Sequence, residues 1–306
     1  MSRGLEYLNP LDRYTVASQR AAGQIIAAYS TSFGAATKLL GRRHRRHVRN
    51  IYALVRIADE LVDGVAAAAH LPLAEQHAQL DELEAETERA MSLGYSSNAI
   101  VHAFAFTARR TGIDSSLTRP FFASMRMDLA QPASIAGASS AVRRFDESEH
   151  ADYVYGSAEV VGLMCLRVFM QDEEYTGEQR KILERGARSL GAAFQNVNFL
   201  RDLGDDTERL ERSYLAADME MTTELKEQWI ATIREQLADA AATLPLLTRD
   251  ARVAVACALR LFARLTDRLA KVPAHKLHER RVRVSDPEKL LLILRSVRDV
   301  RGKRTV

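Results

Sequence analysis

The stretch Leu190-Gly191-Ala192-Ala193-Phe194-Gln195-Asn196-Val197-Asn198-Phe199-Leu200-Arg201-Asp202-Leu203-Gly204-Asp205-Asp206 decides how the chain is read. Wound as a helix, it advances about 100° per residue. Gln195, Asn198, Asp202 and Asp206 then lie within about 80° of one another. Gly191 is on the same stripe and leaves room beside it. Two carboxylates one turn apart, with two amides, therefore share one face of an otherwise apolar helix. Apolar flanks turn such a stripe inward or into a cleft. Buried carboxylates are costly unless something positive neutralises them. Where no basic partner is nearby, a hard divalent cation is the ordinary solution. The competing reading is a solvated acidic face on a surface helix, which shows the same spacing.

Residues 48–63 repeat the pattern. Val48, Ile51, Val55 and Val62 make an apolar stripe. Tyr52, Arg56, Asp59 and Asp63 make a second stripe beside it, within about 60°. One i, i+4 carboxylate pair says little. Two pairs on the edges of apolar faces say more, because a helix bundle can bring them together across a cavity.

The 306 residues suffice for a large core, in one domain or two. Apolar residues make up 47% and charged residues 27%, a globular balance. Only 7 Pro and 15 Gly punctuate the chain, and β-branched alternation is scarce, so long helices and an all-α fold are expected. A formal charge of +3 is too small to argue for a nucleic-acid partner. Cys165 and Cys257 are isolated and form no metal-ligand spacing; they read as reduced thiols of a cytoplasmic protein. No early apolar run resembles a signal peptide, and no stretch approaches a transmembrane length.

Residues 1–14 and 302–306 read as irregular ends of a single domain spanning 1–306, with Pro10 and Asp12 offering a helix start. A helical pattern over about 16–29 ends in the small-residue break Tyr29-Ser30-Thr31-Ser32-Phe33-Gly34. The run Arg42-Arg43-His44-Arg45-Arg46-His47 is either a solvated helix start or a patch for diphosphates or anionic lipid headgroups. Residues 64–72 and 131–140 read as loops, 73–91 as a solvated acidic helix, and 205–217 as a loop or short helix. On a helix over 147–170, Tyr153, Ser157, Val160, Val161, Met164 and Val168 share a broad face, and Gly156 and Gly162 permit close helix approach. Further helices are expected over 99–111, 120–129, 176–202, 222–244, 248–271 and 286–301.

Taken with Ser30-Thr31-Ser32-Phe33 and residues 153–168, the two stripes resemble the squalene/phytoene synthase family over about residues 29–289. The family's first motif, an aspartate pair after Tyr-Ala and an Arg, is matched by Tyr52-Ala53, Arg56, Asp59 and Asp63. The second is matched by Gln195, Asn198, Arg201, Asp202, Asp206, Arg212 and Tyr214. Met125-Arg126-Met127-Asp128 is also similar to a family segment, as is Arg281-Val282 followed by Lys289-Leu290. Glu60 stands where many members have a second Asp, and Ala216 where a Pro is usual. Val154 and Glu159 break the small-residue pattern after Tyr153. By helical geometry Glu159 points about 120° away from Tyr153. These departures bear on pocket shape and remove no carboxylate.

The resemblance implies an isoprenoid synthase helical bundle around a central cavity. It implies a prenyltransferase that uses Mg²⁺, with Mn²⁺ as a substitute, to condense two identical allylic diphosphates head to head through a cyclopropyl diphosphate. Physical chemistry agrees: carboxylates repel a diphosphate unless metal ions bridge them. The carbocation needs a dry cavity with aromatic faces. In this reading Asp59, Asp63, Asp202 and Asp206 are the catalytic set and, with Asn198, hold metal. Ser32, Arg56, Arg201, Arg212, Tyr214 and Arg281 take the substrate diphosphate, and Phe33, Tyr52, Tyr153, Val161 and Gln195 line the cavity.

Within the family the chain is most similar to bacterial, particularly actinobacterial, phytoene synthases. That implies two geranylgeranyl diphosphates giving phytoene by way of prephytoene diphosphate in carotenoid biosynthesis, without NADPH. The nearest alternative makes squalene, dehydrosqualene or presqualene diphosphate from farnesyl diphosphate. An alternative of another class is a non-catalytic helical binding module, against which the two intact aspartate pairs argue. A hydrocarbon product implies a cytoplasmic protein in peripheral contact with the inner face of the cell membrane, favoured by basic residues 42–49 and 295–304. Carotenoid-pathway enzymes are further candidate partners.

Overall fold

Asn9 starts the first helix: its side-chain oxygen accepts the backbone N–H of Asp12 at 2.8 Å, and Pro10 fills the first helical position. Helix α1 therefore spans Pro10–Tyr29, and residues 10–14 are helical where an irregular lead-in was expected. The computed structural model describes residues 7–30, 32–129, 143–144, 147–209, 212–213, 221–277 and 281–302. The side chains of residues 32, 33, 143, 144, 147, 203–209, 212, 213, 301 and 302 lie outside that description.

After α1 come α2 (Ser32–Leu39), α3 (Arg42–Glu60), α4 (Ala66–Ala68), α5 (Leu73–Leu93), α6 (Ala99–Thr111) and α7 (Ser115–Leu129). The second half holds α8 (Glu147–Val154), α9 (Val160–Met170), α10 (Gly177–Arg209), α11 (Thr223–Ala242), α12 (Arg249–Lys271) and α13 (Asp286–Gly302). Two-residue strands β1 (Arg143–Arg144) and β2 (Arg212–Ser213) pair in parallel. The all-α expectation holds for the fold.

Two joints differ from the sequence pattern. Leu61–Val65 and Tyr155–Glu159 are π-helical turns, the first joining α3 to α4 and the second joining α8 to α9. The chain kinks at Gly64 and residues 66–68 are helical where a loop was expected, and α10 runs on to Arg209 through part of the loop or short helix expected at 205–217. The segment 131–140 lies outside the described residues.

One core cluster joins α3, α5, α6, α7 and α9, with Ile51, Leu54, Phe104, Phe121, Phe122 and Met164 fully buried. A second joins α10, α11 and α12 through Val197, Leu200, Ile233, Leu237, Leu265 and Leu269. Helix α10 belongs to both, Leu183 to the first and Ala193 onward to the second. Close approach is secured by small residues. A Cβ on Gly156 would collide with the backbone carbonyl of Pro120, and one on Gly191 with that of Ala158. Ser148–Met170 is long and apolar enough to cross a membrane by length and composition, which the sequence reading missed. Here Tyr153, Val160, Met164 and Val168 are buried within the protein. The acidic helix α5 is also less solvated than expected. Asp81 and Glu84 pair with Arg126 of α7, and Glu88 accepts the Thr118 hydroxyl at 2.7 Å.

Candidate active site

The first acidic wall is built where α3 passes into its π turn. Asp59 sits in the last turn of α3 and Asp63 in the turn itself. π turns of this kind interrupt helices mostly at functional positions. Gly64 follows at φ 116°, a conformation that a side chain would strain. Burial is the main force on the Asp59 carboxyl and pushes it up to about 8. The charges of Asp63 and Asp128 push in the same direction, and Arg56 opposes them. Arg56 is engaged elsewhere: it pairs with Glu60, and its guanidinium lies over the Tyr29 ring at 4.6 Å. Tyr52 belongs to this wall too. Burial raises its hydroxyl above the ordinary value, against the pull of Arg56 and a hydrogen bond with Ser30, while Asp59 adds to the rise.

Asp128 is the functional residue that sequence reasoning left out of the site. It is buried on α7 and accepts the Tyr153 hydroxyl at 2.9 Å. The segment around it was noticed, but a single carboxylate between apolar neighbours carries no spacing signal. Tyr153 is buried on α8, with its ring 5.9 Å from Phe199 of α10. His150 and Trp229 pack tilted or edge-on against Phe199 and against each other. Asp128, Tyr153 and Phe199 therefore link the first wall to the second.

The second wall is the stripe on α10. Ala193, Asn196, Val197 and Leu200 are buried, whereas Gln195, Asn198, Arg201 and Asp202 are half-buried, so the polar stripe borders an opening. Asp202 does have basic partners, contrary to the reading of an unneutralised pair. Arg201 donates to it through Nε at 2.8 Å, and Arg281 does the same at 2.8 Å from beyond α12. Both arginines therefore hold this carboxylate. Asp206 lies on α10 and Arg212 on β2, with side chains outside the description, as are those of Ser32 and Phe33 on α2; Tyr214 lies outside the described residues. Val161 packs against the first core cluster. Glu159 turns away as expected and pairs with Arg188 at 2.6 Å.

Among the described residues, no group of three His, Cys, Asp or Glu side chains is placed to hold one ion. The chemistry of the first wall nonetheless fits a hard cation. Its donors are carboxylate oxygens, and mutual repulsion in a buried place is what a divalent ion relieves. Two open cavities lie in the fold, and one of them reaches the second wall through Arg281. One, of about 600 Å³, is lined in part by Arg167, Arg185 and Arg188. The other, of about 710 Å³, is lined by Arg268, Lys271, Lys276, Arg281 and Arg283 with Val272, Pro273 and Val282.

The sequence model of the squalene/phytoene synthase family matches residues 26–288. The chain belongs to that family. A 15-cis-phytoene synthase of Synechocystis sp. is 30% identical over 293 residues, which cover 88% of this chain and 81% of that protein. Phytoene synthase 3, chloroplastic, of Zea mays is 32% identical over 243 residues, 76% of this chain; the match spans only 53% of the maize protein, about half its length. A crystal structure of a dehydrosqualene synthase in complex with ligand superposes with a TM-score of 0.73 at 21% identity, over 96% of this chain and 100% of that one. The squalene synthase HpnC from Alicyclobacillus acidocaldarius gives a TM-score of 0.68 at 17% identity, over 87% and 98%. The helical fold expected from the sequence is thus the fold of these synthases.

Proposed function

We propose that this chain is a phytoene synthase that condenses two geranylgeranyl diphosphates head to head, through prephytoene diphosphate, to phytoene. The observation that carries the reading is the carboxylate group of half-buried Asp59 and Asp63 with buried Asp128, joined to α10 by way of Tyr153 and Phe199. Phytoene synthase relatives at about 30% identity supply the choice of product.

Asp59 and Asp63, with Asn198, Asp202 and Asp206 on the other wall, are the residues that would hold Mg²⁺. Bound Mg²⁺ would neutralise the diphosphate and favour its departure. The remaining work falls to the chain. Arg201 and Arg281 fix the direction of Asp202, and both are positioned to transfer a hydrogen bond to an incoming diphosphate. Arg56 sets the charge of the first wall. Tyr153 holds Asp128 in place, and its ring with Phe199 offers an aromatic, water-poor surface beside the reacting carbons. We further place the protein in the cytoplasm in peripheral contact with the membrane that receives its hydrocarbon product.

A farnesyl-using reading, giving dehydrosqualene or squalene, draws on the fold neighbours named above. Chromatography of products from farnesyl and geranylgeranyl diphosphates, each with and without NADPH, separates the two. Phytoene from geranylgeranyl diphosphate without NADPH is expected. A product only from farnesyl diphosphate would replace the reading with its alternative.

A further inference from the structure

Helix α13 turns Glu288 and Asp299 toward α12 and its leucines outward, while Asp286 in its first turn is exposed and paired with Lys289 at 3.0 Å. Glu288 is held by Arg264 and Arg268 of α12, and Asp299 by Arg260 at 2.7 Å. The opposite face carries Leu290, Leu291 and Leu294, which are 57%, 45% and 58% exposed. Leu290, Leu291, Leu294 and Arg298 fall within about 100° around the helix, with Arg295 about 40° further on. Both arginines are exposed, and Arg298 reaches only the edge of Asp299 at 3.3 Å. Cations also stand at the other end of the leucines. Arg268, which holds Glu288 in the first turn of α13, lines the cavity of about 710 Å³ together with Lys271, Lys276 and Arg283.

The other basic run, residues 42–49, is largely consumed by the fold. His44 and His47 are buried, His44 against Asp250 at 3.0 Å and His47 against Thr107 at 3.0 Å. Burial, reinforced by Arg46, pushes His47 down to about 4, so it is neutral at physiological pH. Arg43 pairs with Glu173 at 2.9 Å, and Arg45 donates to the Leu40 carbonyl at 2.7 Å.

We propose that the outward face of α13 is a docking surface for an anionic lipid bilayer. The leucines enter the acyl boundary, and the surrounding arginines and lysines take the headgroup phosphates. Charge decides the occupant. A second copy packed on this face by two-fold symmetry would bring Arg295 and Arg298 of both copies to one seam, with a single exposed acid per helix, Asp286, that is already paired with Lys289. An anionic bilayer satisfies the leucines and the cations together. The inference deepens the membrane contact proposed above and does not depend on the reaction.

The test is flotation of the full chain with vesicles of phosphatidylglycerol and phosphatidylcholine, beside phosphatidylcholine alone. The wild type is expected to float with the anionic vesicles and to lose binding as salt is added. Leu290→Asn with Leu294→Asn, and separately Arg295→Glu with Arg298→Glu, should each lower partitioning on the order of tenfold while circular dichroism melting stays unchanged. Arg42→Glu, in the other basic run, should bind as the wild type does. Normal flotation of both α13 variants would overturn the proposal, as would equal binding to phosphatidylcholine alone or a loss confined to Arg42→Glu. A leucine variant that turned dimer into monomer in sedimentation velocity, with vesicle binding intact, would assign the face to a second copy. Flotation is read without substrate, and product formation from the soluble diphosphates without vesicles, so the failure of one is distinguishable from the failure of the other.

Discussion

The two acidic walls start from the same residue type and the same i, i+4 spacing, and they reach different electrostatic states. On α3, half-buried Asp59 has Asp63 and Asp128 as like-charged neighbours, while Arg56, which opposes them, is paired with Glu60. On α10, Asp202 is gripped by Arg201 and by Arg281, which lies 79 residues further along the chain. Helical spacing fixes which carboxylates share a face. Whether that face gathers like charges or is closed by ion pairs depends on residues distant in sequence.

The largest expected effect is on turnover. Asp59→Asn and Asp202→Asn keep side-chain size and remove charge, and each should cost on the order of 10²-fold or more in product formation. If one variant kept near-normal turnover, its wall would leave the active site.

Stability should separate the walls next, with opposite signs. Asp59→Asn removes a carboxylate strained by burial and repulsion, so melting should hold or rise. Asp202→Asn leaves two arginines without their counter-charge and should cost about 1–2 kcal/mol. Thermal denaturation of both variants beside the wild type checks this; equal shifts would erase the distinction.

A smaller effect belongs to the link between walls. Tyr153→Phe deletes the hydroxyl that Asp128 accepts. The loss should be about 1–2 kcal/mol by denaturant unfolding, and absent when Asp128→Ala is already in place. An undiminished loss in the double variant would mean that the hydroxyl acts elsewhere.

The smallest concerns Arg281. Its side chain is 40% exposed and Arg201 would still hold Asp202, so Arg281→Gln should cost less than about 1 kcal/mol. Its effect should show instead as a raised KM for the diphosphate. A normal KM would make Arg281 a partner of Asp202 alone.

Much of this was legible from local periodicity. The Gln195 to Asp202 stripe, the Asp59/Asp63 pair and the close approach at Gly156 follow from steps of a helix and appear as read. What escaped has one of two physical causes. An insertion of a single residue, as in the π turn at Tyr155–Glu159, leaves an apolar pattern nearly unchanged and cannot be seen in it, and neither can the kink at Gly64. Contacts between distant segments, such as Arg281 with Asp202 or Arg126 with α5, are set by packing and leave no local mark. Asp128 escaped for the second reason: its meaning comes from Asp59 and Tyr153, on other helices. The basic run at 42–49 misled for the same reason, since burial and the Asp250 and Glu173 partners decide its role.

The account rests on the claim that the first wall requires a hard cation and works with the second on one diphosphate. The most direct test is product formation from geranylgeranyl diphosphate by the wild type, Asp59→Asn and Asp202→Asn, assayed in Mg²⁺, in EDTA, and in EDTA followed by excess Mg²⁺. The wild type should lose its product in EDTA and regain it with Mg²⁺, while neither variant is rescued at any metal concentration. Full wild-type turnover in EDTA would contradict the account.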